Sequence, residues 1–358
     1  MTELRHIGLG LGRLRLWHDG LGEFSRQLGH ALAVQAPKLR AEQGVALHFH
    51  LPSRWHGVFG PEVGYLGTHT TQRWCHLRAR RFALWHNLHQ HNRLRAPLGV
   101  QHRLETVHDL NFLHTKSAAK VERYRARLRH HLAQCEAAVA ITHYVANDIV
   151  TELAPLHTPV RVIHNGATDL TMAARKAVPE AEQCPFLLHV SRMAPSKNIL
   201  ALLDLAAAWP EMRLLLVGAT SSYTDRVRQW VSERELTNVR IRLDIEEAEK
   251  AWLYAHCEGF LFPSLAEGFG LPPIEAMYFG KPVFLSRRTS LPEIGGDLAF
   301  YFDEFDGQAM RAVVEHGLSA HSAPDRSDAV RRHALGFSWQ RCASQYLALY
   351  LELIGPQR

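Results

Sequence analysis

An α/β fold built from two doubly wound parallel sheets is what this sequence predicts, on three observations. Strand-length apolar runs alternate with helical patterns through the second half of the chain, and the first half repeats the theme less cleanly. Between the halves, 167–185 (ATDLTMAARKAVPEAEQCP) is short on strand-forming residues and is read as a linker. The 358 residues suffice for two domains of ordinary size. The expected boundaries are 1–168 for the first, completed by a last helix over 338–358, and 169–337 for the second.

The strand candidates of the first half are VALHFHL (45–51), RFALWHN (81–87), LETVHDL (104–110), AAVAI (137–141) and VRVIHNG (160–166). Those of the second half are FLLHV (186–190), RLLLVG (213–218), NVRIRL (238–243), GFLFPS (259–264), PVFLS (282–286) and LAFYF (298–302). NILALLDLAAAW and AEKAWLYAHCE supply two of the intervening helices. GLGLGR near the start is not a dinucleotide fingerprint, because its glycines alternate instead of following G-x-G-x-x-G. HDGLGEFSRQLGHAL is the better glycine loop, with Gly20 and Gly22 ahead of a helical pattern through Phe24, Leu28 and Leu32.

Composition narrows the class. A chain 46% hydrophobic and 21% charged has the balance of a soluble globular protein, and no run is long enough to span a bilayer. The early Glu3 and the lack of an uninterrupted apolar core argue against a signal peptide. Cys75, Cys135, Cys184, Cys257 and Cys342 are scattered without metal-type spacing, as expected of reduced thiols in a cytoplasmic protein. Residues 1–170 carry 21 basic against 12 acidic residues, and 171–358 carry 20 against 23. A net of +9 on the first part points to an acidic partner there.

Chemistry concentrates in the second half. In LAEGFGLPPIEAM (265–277), Glu267 falls in the loop after a strand and Glu275 in what reads as the first turn of a helix opened by Pro272 and Pro273. Gly268 and Gly270 let backbone N–H groups come close to a ligand, and a helix start favours electronegative groups. HVSRMAPSKN places Arg192 and Lys197 beyond the carboxyl end of another strand, where open α/β sheets bind ligands. A guanidinium fork and an ammonium suit a diphosphate; carboxylates suit vicinal hydroxyls. Together they describe a nucleotide-sugar site.

SRMAPSKN, FPSLAEGFGLPPIEAMYFGKPV and LPEIGGDLAFYFD resemble the donor half of the retaining glycosyltransferases of family 4, which have the GT-B fold. TVHDLNFL, AAVAITHYVANDI, VIHNG and the final FSWQRCASQYLALYLELI extend the resemblance. It implies two Rossmann-like doubly wound domains facing across a cleft, with the last helix returning to the first. It also implies that Arg192 and Lys197 hold the donor diphosphate. Glu267 and the backbone of Gly268, Phe269, Gly270 and Leu271 would contact the transferred sugar, and Glu275 the ribose. His108 would reach that sugar from the first domain with Asp109 beside it, and Gly20 and Gly22 would lie near the phosphates. Ser191 stands where the family commonly has glycine, and GRLRLWH before Gly20 departs from its pattern.

The expected reaction is retaining transfer of a hexose, mannose-type favoured, from a GDP- or UDP-sugar to a glycan or glycolipid, in bacterial cell-surface polysaccharide or lipopolysaccharide synthesis. No cofactor and no metal are expected: His48, His50, His86, His89 and His91 lack a completing ligand set and read as surface and cleft histidines. The alternatives are a GT-B nucleotide-sugar epimerase and a non-catalytic nucleotide-sugar binding protein. Around 116–131 a helical wheel sets Val121, Tyr124, Leu128 and Leu132 on one face and Lys116, Lys120, Arg123 and Arg127 on another, a basic stripe suited to a peripheral contact with an anionic membrane. No nucleic-acid motif is present. The expected location is cytoplasmic, at the inner face of the plasma membrane.

Overall fold

The structure, a computed structural model, describes residues 4–12, 20–182 and 184–356. It separates into two compact units, Met1–Gly166 with Ser338–Arg358, and Ala167–Phe337.

The first unit contains β1 (Arg5–Gly10), α1 (Gly20–Gln43), β2 (Val45–Leu51), β3 (Gly64–Gly67), β4 (Leu84–Asn87), β5 (His102–Val107), α2 (Phe112–Thr115), α3 (Ala118–Leu132), β6 (Ala137–Ala140), α4 (His143–Glu152) and β7 (Val160–Val162). Its seven strands pair in the order β3-β2-β1-β4-β5-β6-β7, every neighbour parallel. Parallel sheets are covered on both faces, which is why β2 and β6 are almost wholly buried apolar runs. On α3, Val121, Leu128 and Leu132 face inward, as the wheel predicts, while Lys120 and Arg123 are exposed. Helices do not cover every crossover. Among the described residues, 68–83 and 88–101, which lead to β4 and β5, hold only the 3-10 turn Thr70–Arg73.

The second unit contains α5 (Pro179–Glu182), β8 (Phe186–Val190), α6 (Ile199–Ala208), β9 (Arg213–Gly218), α7 (Ser222–Glu233), β10 (Val239–Leu243), α8 (Glu247–His256), β11 (Gly259–Phe262), α9 (Leu271–Tyr278), β12 (Val283–Ser286), α10 (Leu291–Gly295), β13 (Phe300–Phe302), α11 (Gly307–His321) and α12 (Arg326–Leu335). Its strands are also parallel, in the order β10-β9-β8-β11-β12-β13.

The chain then returns to the first unit as α13 (Trp339–Ile354), capped by the Ser338 hydroxyl, which accepts from Arg341 N at 3.2 Å. Gly166 makes the re-entry possible, since a Cβ there would lie 2.3 Å from Trp339 N. A buried polar chain fastens α13 to the sheet. The Tyr350 hydroxyl meets His86 Nδ1 at 2.7 Å, His86 Nε2 meets Thr106 Oγ1 at 2.8 Å, and Thr106 meets the Tyr346 hydroxyl at 2.9 Å.

Three expectations need correction. The stretch 167–185 is not a free linker: Leu170, Val178 and Ala181 are buried and Lys176 N donates to Ala248 O, because a few well-spaced apolar side chains anchor an otherwise polar segment. β1 was not among the expected strands, its last three residues already belonging to the glycine-alternating run that begins at Gly8, and β3 was not foreseen, its four residues holding two glycines. Gly20 and Gly22 belong to the first turn of α1 and not to a loop before it, and the preceding 13–19 lies outside the described residues.

Burial makes stability depend on pH. His86, His108 and His189 are driven down to about 3, 4 and 4 by desolvation, so they stay neutral in the folded protein while the unfolded chain takes up protons below about pH 6.5. That contribution is present above pH 6.5 and is lost as pH falls towards 4. Glu105 is opposite: burial raises it to about 8, so folding binds a proton that the unfolded chain has already released, and stability falls as pH rises from 4.5 to 8. Melting temperature should therefore peak near pH 6.5, and Glu105→Gln should flatten the limb between 6.5 and 8, worth about 1.4 kcal/mol per pH unit for one proton. An unchanged alkaline limb in that variant would remove Glu105 as its source.

Candidate functional site

In the second unit the site grows from two adjacent strand ends. β8 and β11 pair in parallel, Leu187 opposite Gly259 and Leu188 opposite Phe260, so the loops that follow them leave the same edge of the sheet. After β8 come Ser191 and Arg192, then a 3-10 turn, Pro195–Lys197, that sets Lys197 ahead of α6. After β11 come Ser264 and Glu267. The Lys197 ammonium donates to Glu267 Oε1, and both side chains are largely covered, at 18% and 12% exposure. Leu265 N donates to Ser196 O at 2.7 Å, which binds the two loops through their backbones as well.

Polar side chains that sequence reasoning missed hold this arrangement. The Ser264 hydroxyl reaches Glu267 Oε1 at 2.6 Å and Ser196 O at 3.0 Å. Thr289 Oγ1 accepts from Glu267 N at 3.1 Å, and Ser290 Oγ donates to Phe269 O at 2.8 Å. Beneath the loop, His189 Nδ1–H donates to Leu261 O at 2.8 Å. Its Nε2 is thereby left to accept from the Ser191 hydroxyl at 2.7 Å, which gives the serine found in place of glycine a defined partner. The His189 ring stacks on Phe262, and the Lys197 ammonium sits 5.2 Å from the same ring centroid. A serine or histidine in a short motif carries no visible sign of such a role before the strands are paired.

Arg192 is exposed and makes no hydrogen bond or ion pair with the described residues. It is the open cation of the loop, whereas Lys197 is already neutralised by Glu267. Gly270 caps α9 with φ +117, a conformation in which a Cβ would be strained and would lie 3.0 Å from Leu291. Leu271 opens the helix, so its N–H has no intrahelical acceptor, and Pro272 and Pro273 have no N–H at all. The ring of Phe269 is buried edge-on to Phe337 and serves packing; only its backbone can face a ligand.

Glu275 departs from expectation. It is the fifth residue of α9, beyond the first turn, and only 8% exposed. Its carboxylate accepts from Lys250 Nζ at 3.1 and 3.3 Å and from the Tyr254 hydroxyl at 2.8 Å, both on α8. A ligand hydroxyl would have to share a carboxylate that the protein already satisfies.

In the first unit, His108 follows β5. Its Nε2–H donates to Leu88 O at 2.8 Å, and its N–H donates to Gln90 Oε1 at 3.1 Å. Burial keeps the ring neutral, so Nδ1 is an acceptor, without a hydrogen-bond partner among the described residues. Phe24 of α1 packs edge-on against it at 4.5 Å, which brings the start of α1, with Gly22, beside His108. Asp109 Oδ1 accepts from Asn111 N at 2.9 Å, a local turn contact. Of the histidines expected at the surface or in a cleft only His91 is exposed; His48, His50, His86 and His89 are buried, where each hydrogen-bonds protein groups: Arg80 and His6, Gln72, Tyr350 and Thr106, and Leu11 O.

Residues 172–326 match the family described as Glycosyl transferases group 1. The match lies within the second unit and covers most of it. O-antigen chain mannosyltransferase B of Escherichia coli is 34% identical over 174 residues, 46% of this chain and 45% of that one. O-antigen chain mannosyltransferase RfbU of Salmonella typhimurium is 25% identical over 214 residues, 59% of each. The chain thus spans about half the length of the curated relatives it matches. Sucrose-phosphate synthase of Thermosynechococcus elongatus superposes with a TM-score of 0.72 at 19% identity, covering 98% of this chain and 99% of that one. HepE of Anabaena, solved with UDP and glucose, gives 0.70 at 15%, covering 97% and 100%. These structures show the fold: two Rossmann-like α/β units of the GT-B type, as the sequence predicts.

The covered Lys197–Glu267 pair has an energetic signature in the second unit. Lys197→Met should destabilise the protein by about 3 kcal/mol, because Glu267 is left without its cation. The double change Lys197→Met/Glu267→Gln should recover part of that loss in urea unfolding. Strict additivity of the two single changes would mean that the pair is not coupled.

Proposed function

We propose that the protein is a retaining hexosyltransferase. It moves a mannose-type sugar from a GDP- or UDP-linked donor to a glycan or glycolipid in the assembly of a bacterial surface polysaccharide. It works in the cytoplasm, at the inner face of the plasma membrane. The observation that carries the reading is the meeting of the β8 and β11 loops, with Lys197 on Glu267 and the unpaired Arg192 beside them. The mannosyltransferase relatives favour mannose.

On this reading Arg192 binds the diphosphate with its guanidinium fork, and Lys197 turns part of its charge from Glu267 to the phosphate oxygens. Glu267, held by Ser264, accepts hydrogen bonds from the sugar hydroxyls, and the amides at the start of α9 donate to the donor. The bond from the anomeric carbon to the diphosphate oxygen breaks. A bond to the acceptor oxygen forms on the same face, and the acceptor proton passes to the departing diphosphate. Catalysis is then mainly orientation and stabilisation of the charge on the leaving group. On this reading Arg192 and Lys197 take the place of a divalent ion at the diphosphate, and chelation by EDTA should leave turnover unchanged.

GDP-mannose at about a hundred times its dissociation constant should add roughly 2.7 kcal/mol of stability, visible as a rise in melting temperature. Arg192→Ala should lower kcat about a hundredfold or more. Glu275→Gln, which keeps the side chain's shape, should weaken donor binding in calorimetry with kcat little changed. Absence of stabilisation by every GDP- and UDP-sugar tested, or an inverted anomeric configuration in the NMR spectrum of the product, would overturn the reading.

A further inference from the structure

Two of the first unit's crossovers without an α-helix form a surface with a composition of its own. Segments 68–83 and 88–101 run side by side: Arg95 N donates to Gln72 O, Leu98 N to His76 O, both at 2.9 Å, and His76 Nδ1–H to Arg95 O at 2.7 Å. From this joint Trp74, Leu77 and Leu98 project, 69%, 72% and 63% exposed. Three large apolar side chains on backbone-linked neighbouring turns are not the scattered single residues of an ordinary surface.

The charge around them is one-sided. Residues 63–104 contain seven arginines and no aspartate or glutamate. His76 and Gly67 O hold Arg78, and His48 holds Arg80. Arg81, Arg93 and Arg95 are exposed, and their guanidinium groups make no hydrogen bond or ion pair with the described residues. The surface continues onto α3, where Arg93 lies close enough to Arg127 to help lower its pKa, and Arg95 acts likewise on His131. Uncompensated like charge costs folding free energy, and only an anionic partner returns it.

We propose that this surface docks the protein on an anionic bilayer, with Trp74, Leu77 and Leu98 entering the interfacial layer and Arg81, Arg93 and Arg95 on lipid phosphates. It identifies the partner side of the reaction proposed above but rests on the surface alone, not on the donor. The chemistry favours lipid over the other anionic partners. Tryptophan suits the interface, and aliphatic side chains gain from acyl chains but cannot stack on bases. A twofold contact between copies of the chain would set arginines against arginines. The docking residues differ from those expected at the sequence level: the projecting groups come from the two crossovers, and the basic stripe of α3 is their flank.

Flotation of the full chain with vesicles of phosphatidylcholine, and of phosphatidylcholine mixed with phosphatidylglycerol, tests this. Wild type should float only with the mixed vesicles and be released by salt. Trp74→Ser/Leu77→Ser/Leu98→Ser, and separately Arg81→Glu/Arg93→Glu, should each lower partitioning about tenfold or more at unchanged melting temperature. Equal binding to neutral vesicles, no binding, or variants that bind like wild type would overturn it. So would capture of a homopolymer RNA without vesicles, or loss of a dimer in the triple variant without vesicle binding. Melting shifts with GDP-mannose on the same samples separate the two readings: vesicle binding by a protein that no nucleotide sugar stabilises supports the docking surface and ends the donor assignment.

Discussion

Parallel pairing of β8 with β11 is the constraint from which the candidate site of the second unit follows. Two strands that run the same way must end at the same edge, so the residues just beyond them become neighbours although some seventy positions separate them in the chain. Lys197 meets Glu267 for that reason. The remaining polar groups, Ser264, Thr289, Ser290 and His189, then have one task in common, which is to hold loops of irregular backbone in one conformation. Loops cannot satisfy their own amides and carbonyls as helices do, and short hydroxyl side chains do it for them.

The first unit obeys the same geometry with a different cost. Its buried polar groups are many: His86, Thr106, Tyr346 and Tyr350 form a continuous chain, while Glu105 and His108 sit under desolvation. Such groups weaken burial unless each finds a partner, yet a satisfied network admits only one arrangement. Here it specifies where α13 lies, a helix that reaches its sheet only after the whole second unit has intervened in sequence. Gly166 and Trp339, adjacent at the point of exit and re-entry, complete that closure.

A contrast between the units bears on function. The second unit covers its sheet with regular helices and concentrates its chemistry in loops at one edge, the usual economy of an open parallel sheet. The first leaves three crossovers without an α-helix and fills two of them, 68–83 and 88–101, with arginine, tryptophan and leucine. Among the described residues no helix is long and apolar enough to cross a membrane.

Sequence alone determined the alternation of strands and helices, because β-forming apolar runs and 3.6-residue periodicity are local signals. FLLHV, RLLLVG and VALHFHL coincide with β8, β9 and β2 residue for residue. It also marked Arg192, Lys197 and Glu267, since cations and carboxylates beside glycine and proline at strand ends leave a pattern that can be read locally. What it could not determine is what each group touches. Glu275 reads as an open carboxylate in a first turn until α8 brings Lys250 and Tyr254 against it. Ser264 and His189 read as ordinary residues until the paired strands set them under the loops. β1 is hidden among its glycines, and Trp74, Leu77 and Leu98 could as well have been core. Burial and partnership are properties of chain segments distant in sequence, and only the tertiary fold decides them.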